Sequence, residues 1–306
     1  MELGNLIDGA LLESVMRAMV PILLAAFGGL ICERAGVFNI GLEGMMLVGC
    51  FAAVATSYAT GSALLGVLVA VLAGALYSMI LAYGSVTRRS DPIVLAIAMN
   101  ILAVGLTSFL LVAIFNVQGV LRDDRIAGLK PLPIPLLSDI PWIGRALFSM
   151  SWIGYLAIIL VPVLWFVIFR TPLGMRLRGV GERPLAAATL GVDPNRYQYG
   201  AILVSGVLCG LAGAQLALGN VVQFSENMSS GRGWIAVVAV MLARAHPVGL
   251  FFATLLFGFA EAVGYRLQGN GMPAQITDAA PYVVTLIVLI IASRRLRRSK
   301  SEVMVA

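Results

Sequence analysis

Between two uncharged apolar runs, Val20–Cys32 and Leu47–Ala55, lies a polar, glycine-studded stretch, ERAGVFNIGLEGMM, at Glu33–Met46. A water-soluble core has no use for such an arrangement. In a bilayer, glycine and polar side chains at this depth mark an interrupted helix or a tight turn, where backbone groups face protein or water instead of lipid. The stretch points to a conduit for something polar.

Composition agrees on the solvent. The chain is 60% hydrophobic and 12% charged, with a mean hydropathy of +0.95, whereas soluble domains carry about 25% charged residues. Uncharged runs cover Gly44–Thr87, Pro92–Leu121, Ala146–Phe169 and Tyr197–Ser225. One spanning helix needs roughly 20 apolar residues, so Gly44–Thr87 holds two, broken near Gly61–Ser62. The fold class is all-α: a polytopic transmembrane helical bundle of about 8–10 spans, forming one domain over 1–306. The predicted spans are 12–31, 41–59, 63–85, 93–115, 151–169, 198–219, 233–244, 248–266 and 281–293. The N-terminus MELGNLIDGALLES carries Glu2 and Asp8 and lacks the basic region of a cleaved signal peptide. Cys32, Cys50 and Cys209 lie in apolar segments at unrelated spacings, which argues against a disulfide framework or a metal cluster.

The net charge of +6 is dispersed between spans, which fits membrane orientation and not nucleic-acid binding. With the tail RRLRRSK in the cytoplasm, alternating spans puts Arg34, Arg88, Arg89, the 170–197 loop, Arg244 and the basic tail 294–306 inside. Most of the 21 Lys and Arg then lie on that side, giving an outside N-terminus and a cytoplasmic C-terminus. The proline-rich 116–150 loop falls outside. Gly66, Ala70, Gly74, Ser78 and Ala82 repeat every four residues, as do Gly206, Gly210 and Ala214, and Thr254, Gly258 and Ala262. Such small-residue stripes let helix backbones approach closely; they speak of packing and not of cargo.

The 170–197 loop is more telling. Within RTPLGMRLRGVGERPLAAATLGVDPNRYQ, Pro184–Leu190 reads as a short helix, with proline in its first turn, alanines in its body, and Gly191 then Asp193–Pro194 at its end. Two readings stand open: a helix that docks into a partner's groove and transmits force, or a surface loop held at lipid headgroups through Arg176, Arg178 and Arg183. The segment GERPLAAATLGVDPNRYQYGAILVSGVLCGLAGAQLAL resembles the coupling region of ABC-importer permeases of the branched-chain amino acid, sugar and nucleoside permease superfamily. The matching residues are Glu182, Ala186, Ala187, Ala188, Gly191, Ser205, Gly206, Gly210, Leu211, Ala212 and Gly213. ERAGVFNIGLEGMMLVG looks like the smaller permease of nucleoside-type importers, and GWIAVVAVMLARAHPVGLFFATLLFG is also similar, with Ala243 where a turn glycine is usual. The resemblance runs from about Pro21 to Ser293.

That resemblance implies a bacterial plasma-membrane importer, with this chain paired to a second permease subunit. A cytoplasmic ABC ATPase would power it and an external substrate-binding lipoprotein would deliver the cargo. The cargo path would be for nucleosides, with the coupling residues Gly181, Glu182, Pro184, Ala187 and Gly191. No cofactor is expected on this chain: it has no GxxxxGK[ST] phosphate loop, so ATP and Mg belong to the partner ATPase.

Polar groups inside spans are costly and are read first as functional. Asn39 and Glu43 lie four apart, on one face if helical, and a helix N-terminus beside them would present free amides to cargo. Asn100 sits within VLAIAMNILAVGL, and Gln215 and Asn220 approach the outer end of another helix. Phe38 and Trp234, with Met45 and Met46, offer apolar surface for a base. The substrate-path candidates are therefore Asn39, Glu43, Asn100, Phe38 and Trp234. Each has a plainer reading: Glu43 pairs with Arg34 or backbone amides, Asn100 bonds across helices, the methionines pack. Glu261 is expected to pair with Arg266, while Glu226 and Arg232 are candidates for contact with the lipoprotein. A lone histidine, His246, makes no metal site.

Simple sugars are the alternative cargo. An ion-coupled secondary transporter is the alternative class, with Glu43 and Glu261 as its only candidate coupling acids. No paired-acid, Ser–Lys or His-rich motif in the spans supports an enzyme.

Overall fold

Among the described residues, each long apolar run becomes helix. The computed structural model describes residues 9–133, 148–269 and 283. In chain order the helices are α1 (Gly9–Arg34), α2 (Leu42–Thr60), α3 (Ala63–Ala82), α4 (Pro92–Phe115), α5 (Trp152–Arg170), α6 (Pro172–Glu182), α7 (Pro184–Thr189), α8 (Pro194–Ala214), α9 (Arg232–Leu242) and α10 (Pro247–Gly269). α3 and α8 run on as π-helical turns at Tyr83–Thr87 and Gln215–Val221. A short antiparallel ribbon pairs β1 (Val120–Leu121) with β2 (Phe224–Ser225).

Local chemistry sets the helix starts. Asp91 accepts from the amides of Ile93 and Val94 at 2.8 and 3.2 Å, with Pro92 at the first helical position. Asp193 with Pro194, and Thr171 with Pro172, repeat the pattern for α8 and α6. α4 stops on Asn116, whose left-handed backbone (φ 54°) suits asparagine.

Seven of the described helices are long and apolar enough to cross a membrane. α1 and α8 are mostly buried and form the centre, whereas α4 and α5 are mostly exposed. The small-residue stripes meet one another: a side chain at Gly74 would strike the Gly206 carbonyl, and one at Gly210 the Ala70 carbonyl. Gly258 likewise lets α10 approach Val15 and Met19 of α1.

The predicted span 233–244 differs. α9 has 11 residues, about 16 Å at 1.5 Å per residue, roughly half of a 30 Å hydrocarbon core. The non-helical segment 222–231 precedes it. The predicted span 281–293 and the tail 294–306 lie outside the described residues, Val283 excepted.

One end of the bundle is basic. Arg34 closes α1 there, Gln198 of α8 donates to the Ala35 carbonyl at 3.4 Å, and the α9–α10 turn at 243–246 packs alongside. The other end carries 116–133, whose Ala127 carbonyl accepts from Ser57 at 2.9 Å and whose Leu129 amide donates to Leu218 at 2.9 Å.

Candidate functional site

The polar stretch of the opening is a joint. α1 ends at Arg34, the chain turns through Gly36 (φ 78°), and α2 begins at Leu42. The buried Asn39 folds its side-chain oxygen onto the Gly41 amide (2.9 Å) and donates to Ser205 Oγ of α8 (3.0 Å). From α4, Asn100 accepts from the Gly44 amide at 2.9 Å and donates to the Ile40 carbonyl at 3.1 Å. Two asparagines thus take over backbone groups that the helix break leaves over, which apolar surroundings demand.

Glu43 joins this region to α9. Its carboxylate accepts from the Gly231 amide at 2.8 Å and the Gly233 amide at 2.6 Å. α9 has Gly231 at its N-cap and no side-chain cap of its own, so a residue of α2 supplies the acceptor and the negative charge that a helix N-terminus favours. The approach is close: a side chain at Gly233 would collide with the Glu43 backbone. Beside it, Arg232 is ion-paired to Glu261 of α10 and donates to Tyr265 OH at 2.8 Å. Both charged side chains are largely buried.

At the basic end, α6 and α7 form the predicted docking element. α7 closes in a Schellman motif: Val192 N–H to the Ala187 carbonyl (3.0 Å), Gly191 N–H to Ala188 (3.0 Å) and Gly191 at φ 79°. Leu185 and Leu190 are 84% and 83% exposed, an apolar pair projecting from a polar surface. Ala187 is buried and seats the helix; Glu182 and Pro184 are exposed. Gly181 meets the joint backbone to backbone. A side chain there would collide with the Arg34 carbonyl, and one at Gly36 would lie 3.0 Å from Gly181 Cα. Arg34 itself donates to the Ala245 and Arg244 carbonyls at 2.8 and 3.2 Å, with Phe169 under its guanidinium at 5.3 Å. The α9–α10 turn takes its left-handed residues at Arg244 and Ala245, while Ala243 is right-handed (φ −75°), so alanine in place of the usual glycine is unstrained.

Several expectations are corrected here. Asn39 is not helical and does not share a face with Glu43, because it serves α8 while Glu43 serves α9. Of the two partners read for Glu43, Arg34 or backbone amides, it takes the amides, while the Gly41 and Gly44 amides at the start of α2 are held by Asn39 and Asn100 and are not free for cargo. Glu261 takes Arg232 as its ion-pair partner in place of Arg266, which withdraws Arg232 from the surface. Glu226 is exposed and accepts from the Gly119 amide at 3.0 Å. Phe38 is half-buried and Trp234 exposed. Gln215 and Asn220 belong to a chain from Ser151 Oγ (2.6 Å) through Gln215 and Asn220 (3.3 Å) to the Arg17 carbonyl (3.0 Å), lining a small pocket at the non-basic end. Sequence reasoning missed Leu185 and Leu190, although large apolar residues at both ends of a small-residue helix are a legible signal.

Comparison with known proteins agrees with this architecture. The chain is 38% identical to the guanosine ABC transporter permease protein NupQ of Bacillus subtilis, over 88% of this chain and 87% of the relative. It is 37% identical to the nucleoside ABC transporter permease protein NupC of Lactococcus lactis, with the same coverage of each. It is 33% identical to the putative glucose ABC transporter permease protein TsgC13 of Haloferax volcanii, over 91% and 90%. In fold it is similar to PsaBC from Streptococcus pneumoniae solved with a Fab: TM-score 0.50, 14% identity, 90% of this chain and 89% of that one. Residues 11–293 match the family described as branched-chain amino acid transport system / permease component. With that match spanning nearly its whole length, the chain belongs to this family of membrane permease components.

Proposed function

We propose that this chain is one of two permease subunits of an ATP-driven importer and forms with the other a path for nucleosides across the bacterial plasma membrane. The observation that carries the reading is near full-length similarity to two permeases named for guanosine and nucleoside transport. The charge of the site supports a neutral cargo. Glu43 is matched by the α9 N-terminus and Glu261 by Arg232, so neither acid carries an unmatched charge that would call for a coupling ion or a cationic ligand. In this reading Asn39, Glu43 and Asn100 position the joint, and Phe38 and Trp234 are the side chains left to meet cargo.

The basic end faces the cytoplasm in this reading, as the distribution of arginine favours, and α7 enters a groove of the ATPase through Leu185 and Leu190. ATP and Mg are bound by that partner. Displacement of α6 then reaches the joint through the Gly181–Gly36 contact, where no side chain cushions it. A binding lipoprotein presents cargo at the opposite end.

A sugar cargo is the second reading, favoured by the 33% identity to TsgC13. The test is uptake of labelled ribonucleosides and of labelled glucose and ribose in cells with and without this chain. Loss of nucleoside uptake alone is expected; loss of sugar uptake alone would transfer the assignment to sugars. Purification of the tagged chain should bring a second permease and an ABC ATPase with it, and recovery of the chain alone would end the importer reading.

A further inference from the structure

The second helix break, 222–231, reads in the sequence as an outside segment with Glu226 as a lipoprotein contact, and its geometry points to a further role: Asn227, Ser230 and Trp234 line the water-filled path of the cargo, with the Trp234 indole as the face on which a flat heterocycle stacks. The stacking half of this proposal rests on the nucleoside reading; the path half does not.

Depth comes first. Gly231 and Gly233 are bonded to Glu43 in the first turn of α2, and the adjacent Gly44 is bonded to Asn100 within the apolar body of α4. The segment therefore descends from the non-basic end, where Glu226 pairs with Gly119, into the apolar zone, and α9 completes the crossing. Non-helical backbone at that depth does not occur against lipid, because each unsatisfied polar group there costs several kcal/mol; it occurs where protein buries it or water reaches it. Here burial is one-sided. Phe224, Met228 and Ser229 are buried, while Glu226, Asn227 and Ser230 are exposed and Trp234 is 41% exposed.

The segment is also held firmly from behind. Arg232 donates to the Met228 and Ser229 carbonyls at 3.2 and 3.4 Å while paired with Glu261, and Glu43 takes the amides that follow. Val222, Asn227 and Ser230 have φ of 52°, 54° and 45°. A β-branched residue in that region is a genuine outlier, and such strain persists only where surroundings impose it. Beyond Glu226, which is held at the non-basic end by the Gly119 amide, the exposed front offers an amide, a hydroxyl and an indole, a neutral set that matches ribose hydroxyls and a planar base. Along α9 the same face continues toward the basic end through Val238 and the exposed Met241. By contrast, α4 and α5 expose apolar side chains such as Ile101, Phe109, Ile159 and Phe166, the surface that lipid requires.

Cysteine accessibility tests this in membranes holding the assembled transporter. The native Cys32, Cys50 and Cys209 are all buried, so background labelling by a membrane-impermeant maleimide is low. Asn227→Cys and Ser230→Cys are expected to react on the order of tenfold faster than Phe109→Cys and Ile159→Cys, since only the former meet water. A mixture of purine and pyrimidine ribonucleosides should slow the reaction. Equal, slow labelling of all four variants in normally assembled complexes would overturn the path. Protection by glucose or ribose with none by ribonucleosides would uphold the path and overturn the nucleoside reading. For stacking, Trp234→Ala should raise the uptake KM by about tenfold, the equivalent of losing one base–aromatic contact, and Trp234→Phe should recover part of it. A fall in maximal rate with KM unchanged would overturn the stacking role.

Discussion

Residues 35–41 and 222–231 both interrupt helices within the apolar zone, and they differ in what they leave exposed. In the first, from Val37 onward, the polar side chain is buried, and Asn39 and Asn100 answer the backbone from within the protein. In the second, anchors lie on one side only and Asn227 and Ser230 face outward. The first break touches the α6–α7 element through Gly36; the second touches α9. Glu43 is bonded to the second from the helix that the first begins. A membrane protein gains an inward joint by satisfying every group and a wet surface by leaving some groups to water. Which break does which is decided by partners far away in sequence.

The largest expected effect breaks the first segment's link to the basic end. Gly181→Leu must separate α6 from the Arg34 carbonyl, because the obstacle is backbone and cannot rotate away. Uptake should fall on the order of tenfold or more, as expected when a coupling contact of a few kcal/mol is lost, while the transporter still assembles and hydrolyses ATP. Normal uptake per ATP hydrolysed would show that the contact transmits nothing. Next comes the anchor of the second break. Arg232→Met leaves Glu261 as an unpaired buried charge, at a cost of about 3–5 kcal/mol, seen as a lower melting temperature of the purified complex. Adding Glu261→Leu should recover much of that loss; an additive double variant would mean the two side chains do not act as a pair.

Glu43 separates the two breaks chemically. Glu43→Gln keeps one acceptor for the α9 amides but loses the charge, whereas Glu43→Ala strands both amides. A cost of about 1–3 kcal/mol per stranded group puts alanine well below glutamine in thermal stability. Equal stability of the two would mean that water replaces the carboxylate freely.

The sequence reading placed most helices within a few residues, because long uncharged runs, Asp–Pro starts and glycine ends are local signals. It located the first break for the same reason: ERAGVFNIGLEGMM is conspicuous between apolar runs. It took α9 for a span at 233–244, because an apolar stretch does not announce that Glu43, nearly two hundred residues earlier, fixes its start. The segment QFSENMSSGRG reads as an ordinary polar loop, and its depth follows only from those distant bonds. The Gly36–Gly181 contact was equally hidden, since each glycine by itself signals nothing more than a turn.

The smallest expected effect sharpens the comparison most. Asn100→Ala in the first break strands the Gly44 amide and the Ile40 carbonyl, for about 1–3 kcal/mol each. Ser230→Ala in the second removes only a hydroxyl that bonds its own turn, to the Asn227 carbonyl at 3.2 Å, and should cost within about 0.5 kcal/mol. Each change removes one polar side chain that serves a helix break, Asn100 with two bonds reaching it from α4 and Ser230 with one bond inside an exposed turn, so the difference between them reads how far each break depends on enclosed partners. Thermal unfolding of the two purified complexes reads it directly. If Ser230→Ala proves as destabilising as Asn100→Ala, the second break is packed against a partner subunit as tightly as the first is packed within this chain, and water does not reach it.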